Sequence, residues 1–208
     1  MSKLSDNQVL PREFYRQSTV VVARGLLGCI LASSINHSST SGRIVEVEAY
    51  LGSGDAAAHS ANGPTPRTRI QWGPPGHAYV YLIYGMYCCL NFITEPEGTP
   101  GCVLIRAIEP VSGIDCMIAR RNSPQNTRDI GNGPGKLTQA LAVTRRQNGT
   151  DLTTNPLCVH RGTQVDDSQV VMSPRIGIVQ STDLLLRFFI RDNEFVTKHS
   201  LNQSAKPF

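Results

Sequence analysis

YLIYGMYCCLNF, residues 81–92, decides how the rest of the chain is read. Apolar residues run up to Tyr84-Gly85-Met86 and resume directly after it, so the stretch reads as two strands joined by a tight turn. Extended upstream, the hairpin covers Tyr79 to Phe92 and begins an antiparallel sheet. A hairpin tip ordinarily faces water and uses Asn, Asp or Gly. Here Tyr84 and Met86 flank Gly85. Large apolar groups bring no folding benefit at an exposed tip; they suit a tip that enters something.

Further strands lie on both sides of this hairpin. Arg43–Tyr50 alternates clearly, Cys29–Ala32 reads as a short strand, and Cys102–Ile108 reads as another. Near the end Arg175–Val179 and Leu184–Arg191 also read as strands. Helices are expected from Pro11 to about Gly25 or Gly28, over Ser112–Arg121 and over Lys136–Val143. Gly52–Pro75 is rich in Gly and Pro and must be a long irregular segment, of the kind that often carries function. The sum is an α+β class: a single compact domain with a curved, mostly antiparallel sheet, flanking helices and a protruding hairpin. Residues 1–10 are expected to fray, 11–200 to form the domain and 201–208 to fray again.

The chain has 208 residues, 40% hydrophobic and 17% charged, an ordinary soluble composition. A net charge of +4 permits an acidic partner such as nucleic acid without demanding one. Of the 20 basic residues 16 are Arg, which suits phosphate recognition and equally follows from genomic base composition. The six Cys contain no C-x-x-C pair and sit mainly in apolar runs, as buried thiols of a reducing, intracellular compartment would. Val20–Ala32, the longest apolar stretch, is interrupted by Arg24 and Gly25 and is too short to span a bilayer. There is no His/Cys set with metal-ligand spacing; GNGPGK lacks the Walker spacing, and no G-x-S-x-G elbow occurs.

Candidate chemistry gathers around RIVEVEAY, residues 43–50. Period two puts Val45, Val47 and Ala49 on one face and Glu46, Glu48 and Tyr50 on the other. That second face is either an outer surface or a site, and two carboxylates side by side raise the pKa of at least one. Glu48 ends a strand beside the long loop that carries His59, a good place for a general base acting on water. Tyr79 and Tyr81 are either sheet packing or a platform for a flat ring. Asn91 interrupts an apolar run and needs partners if buried. Arg106 lies in the apolar strand CVLIRAIEP, where an Arg pairs with a carboxylate; Glu48 and Glu109 are both candidates.

RIVEVEAYLG, AAHS, TPR, YVYLIYGMYCCLN, CVLIRAIEP and GPGKLTQAL follow one another in this order. Over roughly residues 12–192 the chain resembles the alkyladenine (3-methyladenine) DNA glycosylase family, also called methylpurine DNA glycosylases. The resemblance implies a monofunctional base-excision repair enzyme without metal or cofactor, an intracellular monomer not bound to membranes. It would sit with the nucleoid of a bacterial cytoplasm or in a eukaryotic nucleus. Its partner would be double-stranded DNA with damaged purines: 3-methyladenine, 7-methylguanine, hypoxanthine or ethenoadenine. Glu48 matches the family's water-activating Glu, Arg106 the Arg that positions this water, and the Ile176 main-chain carbonyl a third contact. Tyr50, His59, Tyr81 and Asn91 match the pocket for the flipped base, Asn91 at its floor. Tyr84 matches the intercalating wedge, with Met86 beside it. Arg67, Arg69, Lys136 and Arg175 are candidate DNA-backbone contacts. The loop SANGPTPRTR departs from the pattern: it is shorter than in vertebrate members and has Pro64 near a basic position of theirs. Two other classes stay open. One is a catalytically weak lesion- or nucleic-acid-binding module, which replacement of Glu48 and Arg106 would have favoured. The other is a hydrolase of free nucleosides, for which the hairpin tip has no use.

Overall fold

Val45, Val47 and Ala49 are fully buried, and so are Glu46 and Glu48 between them. Their strand is covered on both faces, which corrects the outer-surface reading. The computed structural model describes residues 9–208. In chain order the helices are α1 (Arg12–Tyr15), α2 (Thr19–Leu26), α3 (Ile114–Arg120) and α4 (Pro134–Ala140). The strands are β1 (Ile30–Ser33), β2 (Thr40–Tyr50), β3 (Ala78–Ile83), β4 (Tyr87–Ile93), β5 (Cys102–Ser112), β6 (Leu157–His160), β7 (Val170–Ser173), β8 (Arg187–Ile190) and β9 (Lys206–Pro207). Among the described residues these nine strands form one open sheet in the order β3-β4-β5-β2-β8-β7-β9, with β1 added on β2 and β6 on β1. All pairings are antiparallel. Leu26, Leu31, Ile44, Ile105, Leu137 and Phe188 share one buried cluster, so helices and sheet make a single α+β domain.

β2 is the axis. One edge pairs first with β1 and then, at Glu46–Glu48, with β8, while the other edge follows β5 throughout. Ile44 pairs with Ile108, Glu46 with Ala107 and Val47 with Ile105. Val45 is therefore an extra residue on β2 and Arg106 an extra residue on β5. The two bulges cancel, and the second re-aims Arg106 toward the side chains of Glu46 and Glu48.

The hairpin leaves the core gradually. Ala78–Val80 and Cys89–Phe92 are buried, whereas Leu82, Tyr84, Met86 and Tyr87 are exposed. The turn closes through the Met86 N–H and the Ile83 carbonyl at 3.3 Å. Tyr84 (φ 53°) and Gly85 (φ 70°) both take positive φ, as a type I′ turn requires. Glycine adopts this conformation freely, while for tyrosine it costs roughly 1 kcal/mol. The base of the hairpin is held by α4, which starts with Pro134 in its first turn. Thr138 donates its hydroxyl proton to the Cys88 carbonyl at 3.0 Å. A Cβ on Gly135 would come within 3.1 Å of the Tyr87 ring, so the close approach requires glycine.

Several expectations change. Arg175–Val179 is a loop, because Pro174 ends the ladder after β7 and Gly177 takes φ 79°. The expected N-terminal helix is broken into α1 and α2. β6, β7 and β9 had no sequence assignment: the first two are only four residues long, and β9 sits in the tail expected to fray yet pairs with β7. Residues 1–8 lie outside the described residues; Leu10, expected to fray with them, is buried and hydrogen-bonds the Val159 carbonyl. No helix among the described residues is long and apolar enough to cross a membrane.

Candidate active site

The hairpin, the loop after β2, the start of α4 and the loop after β7 meet around a cavity of about 830 Å³. Tyr50, His59, Tyr81, Asn91, Arg106 and Ile176 line it, so six of the expected site residues converge from five separate segments. Tyr84 reaches its rim from the hairpin tip.

Glu48 has no exposed surface, yet its three partners all line the cavity. The Ile176 N–H donates to Oε1 at 2.7 Å, Arg106 Nη1 lies 3.3 Å from the same oxygen, and the Tyr50 hydroxyl donates to Oε2 at 3.0 Å. Ile176 thus meets Glu48 through its main-chain N–H. Burial and the neighbouring Glu48 carboxylate push the Tyr50 phenol far up, so it stays a donor.

Glu46 organises the far side. Its Oε1 accepts from Arg106 Nε at 2.9 Å and Arg187 Nε at 2.7 Å, and its Oε2 accepts from the Thr197 N–H at 2.8 Å. Burial pushes the Glu46 carboxyl up, but Arg106 and Arg187 outweigh it and hold it below its ordinary value. Burial likewise opposes the Arg106 charge, and Glu48 and Glu46 together raise it instead. Two guanidiniums thus balance two carboxylates, and the repulsion expected between Glu46 and Glu48 is relieved by Arg106 between them. Glu109, the other candidate partner of Arg106, pairs with Arg43. Arg187 escaped the sequence reading, although LLLRFFI carries the same signal as CVLIRAIEP: an Arg inside an apolar strand.

The opposite wall is aromatic. The His59 and Tyr81 rings meet edge-on at 4.7 Å, and His59 Nδ1 lies 3.1 Å from the Tyr79 hydroxyl. Burial and then the Arg67 charge lower the His59 pKa, which keeps the imidazole neutral at pH 7. Asn91 donates to the Tyr79 carbonyl at 3.1 Å, bridging the sheet backbone as a buried Asn should. An arginine backs each aromatic wall: Arg67 stands 5.3 Å from the Tyr81 ring centre and Arg175 stands 4.5 Å from that of Tyr50.

The expected backbone contacts divide. Arg67 and Arg69 are exposed near the cavity. Lys136 lines it, half-exposed, and donates to Asn132 at 2.7 Å. Arg175 is buried in a two-bond fork with Asp55, both contacts at 2.6 Å, and is not free to meet a phosphate. It ties the loop after β7 to the loop after β2. Met86 is exposed at the tip, beyond the cavity lining. Gln71, Cys89 and Cys102 also line the cavity; no spacing rule marks a lone Gln or a buried thiol as part of a site.

Comparison with known proteins agrees with this arrangement. The family model described as "Methylpurine-DNA glycosylase (MPG)" matches residues 13–194. Three similar proteins bear the name "Putative 3-methyladenine DNA glycosylase". That of Methanoculleus marisnigri is 47% identical over 91% of this chain and 98% of its own. That of Prosthecochloris aestuarii is 47% identical over 91% of both chains. That of Legionella pneumophila strain Lens is 43% identical over 91% of this chain and 98% of its own. With the family pattern running through nearly the whole fold and around this cavity, the chain belongs to the methylpurine-DNA glycosylase family, DNA-repair hydrolases that act on the N-glycosidic bond.

Proposed function

We propose that this enzyme flips damaged purines out of duplex DNA into the cavity and hydrolyses the bond from the base to the sugar with a water activated by Glu48. The observation that carries the reading is the Glu48 carboxylate, buried and ion-paired, with Tyr50, Arg106 and Ile176 joining it to the cavity wall. The base stacks between Tyr50 and the His59–Tyr81 wall. Water attacks C1′ and gives a proton to Glu48; the C1′–N bond breaks and its electron pair leaves with the base. A cationic alkylated purine departs neutral, which suffices without an acid, metal or cofactor. Arg106 and the Ile176 main chain orient the carboxylate and water, and Asn91 at the floor crowds out the amino group of normal guanine. Tyr84 fills the gap in the base stack with Met86 beside it, while Arg67, Arg69 and Lys136 meet phosphates.

One feature favours the second reading, a catalytically weak lesion-binding module: the Tyr50 hydroxyl occupies the Glu48 oxygen that would receive the proton. On the glycosylase reading, stacking of the base on Tyr50 releases that oxygen to water. Single-turnover excision separates the two. Labelled duplexes carrying 7-methylguanine, hypoxanthine or ethenoadenine are incubated with the wild type and Glu48→Gln, then treated with alkali to reveal abasic sites. The wild type should excise and Glu48→Gln should be slower by at least about a thousandfold with binding kept. Binding without excision by the wild type would establish the module instead.

A further inference from the structure

Gln71 lies in the 3₁₀ turn Arg69–Trp72 before β3, is 1% exposed, and lines the cavity. Its Oε1 faces the Cys102 thiol at 4.0 Å. Burial pushes that thiol up to about 12, so the sulfur keeps its proton and the amide oxygen is the end that belongs against it. This orientation turns Nε2 away from the sulfur, and Nε2 is buried without a hydrogen-bond partner. Its electrostatic neighbour, the Tyr79 hydroxyl, is already engaged by His59 and Arg67. The second carboxamide at this wall behaves differently: Asn91 spends its N–H on the Tyr79 carbonyl. Buried donors are nearly always paired in folded proteins, and one left open at a cavity wall is suited to an acceptor that arrives with the ligand.

Resting on the reading that a purine enters this cavity, we propose that Gln71 Nε2 donates a hydrogen bond to a ring nitrogen or carbonyl oxygen on the buried edge of the flipped base, making Gln71 a specificity-determining residue. A base that keeps a free acceptor at that edge completes the wall. A base whose acceptor is alkylated or replaced by C–H leaves the donor unpaired and is selected against.

The test is a set of double-mutant cycles. The full chain in the Glu48→Gln background is titrated against duplexes carrying hypoxanthine or analogues in which O6, N3 or N7 is replaced by C–H. Gln71→Met removes the donor at nearly constant volume; Gln71→Glu keeps the shape and replaces the donor with acceptors, and melting temperatures check that each variant folds. One analogue should bind about tenfold more weakly than hypoxanthine when Gln71 is present and within about twofold of it in either variant. Equal losses for all three analogues with and without Gln71 would overturn the inference. Wild-type excision of a damaged purine, measured in parallel, keeps the glycosylase reading standing in that case. Failure of the wild type to bind or excise any lesion would remove both.

Discussion

The two ends of the cavity are built on opposite rules. At the closed end Glu46, Glu48, Arg106 and Arg187 are buried, and their charges answer one another through contacts of 2.7 to 3.3 Å. At the open end Tyr84 is 83% exposed and Met86 66% exposed, on a turn whose backbone disfavours tyrosine. The first end is fully satisfied inside the molecule. The second is satisfied by nothing in it. Groups that act on a bond need fixed, dry partners before substrate arrives. Groups that enter a base stack need exposure, and folding alone would not select them.

The largest effect should come from breaking the closed end. Arg187→Met leaves the Glu46 carboxylate buried with one guanidinium fewer. Urea unfolding should show a loss of about 3–5 kcal/mol, the range for a broken buried pair. A loss below about 1 kcal/mol would mean that the network is not the rigid element described above.

Acid sharpens the same contrast. Burial raises the Glu46 and Asp55 pKa values, but Arg106 and Arg187 in one case, and Arg175 with the Leu51 and Ala57 N–H groups in the other, bring both below their ordinary values. Both carboxylates therefore add stability that is complete above the unfolded carboxylate range, about pH 4, and is lost as pH falls through the folded values. Thermal melting should drop steeply below roughly pH 5. Glu46→Gln should be less stable at pH 7 and should lose less between pH 6 and pH 3. A slope equal to that of the wild type would place the acid sensitivity elsewhere.

The smallest effect on stability belongs to the open end, with the opposite sign. Tyr84→Asn puts a residue that tolerates positive φ into the turn. Stability should rise by about 0.5 kcal/mol or stay unchanged, while affinity for a lesion-bearing duplex falls about tenfold. A stability loss comparable to that of Arg187→Met would show that the tip is packed, and unchanged affinity would show that it does not enter DNA.

Much of this was open to inspection in the chain itself. The hairpin, the alternation of Arg43–Tyr50 and the lone Arg106 in an apolar strand are local patterns, and each lies in the strand assigned to it. The misread segment Arg175–Val179 is apolar enough for a strand, but Pro174 and Gly177 outweigh composition. Arg175 looked like a phosphate contact because nothing local announces Asp55, its partner 120 positions earlier. Glu46 passed for half of a repulsive pair because Arg187 lies 141 positions away.

The sequence alone determined the chemistry available: strand period, turn type, the family pattern, and a carboxylate at a strand end beside a Gly/Pro-rich loop. Tertiary structure decided which charges meet. Residue type fixes what a side chain can donate or accept within a few positions, whereas its partner is set by register. One extra residue at Arg106 in β5, pairing over long separations and a loop crossing from β7 placed Arg106 between two carboxylates and left the Gln71 donor open to the cavity.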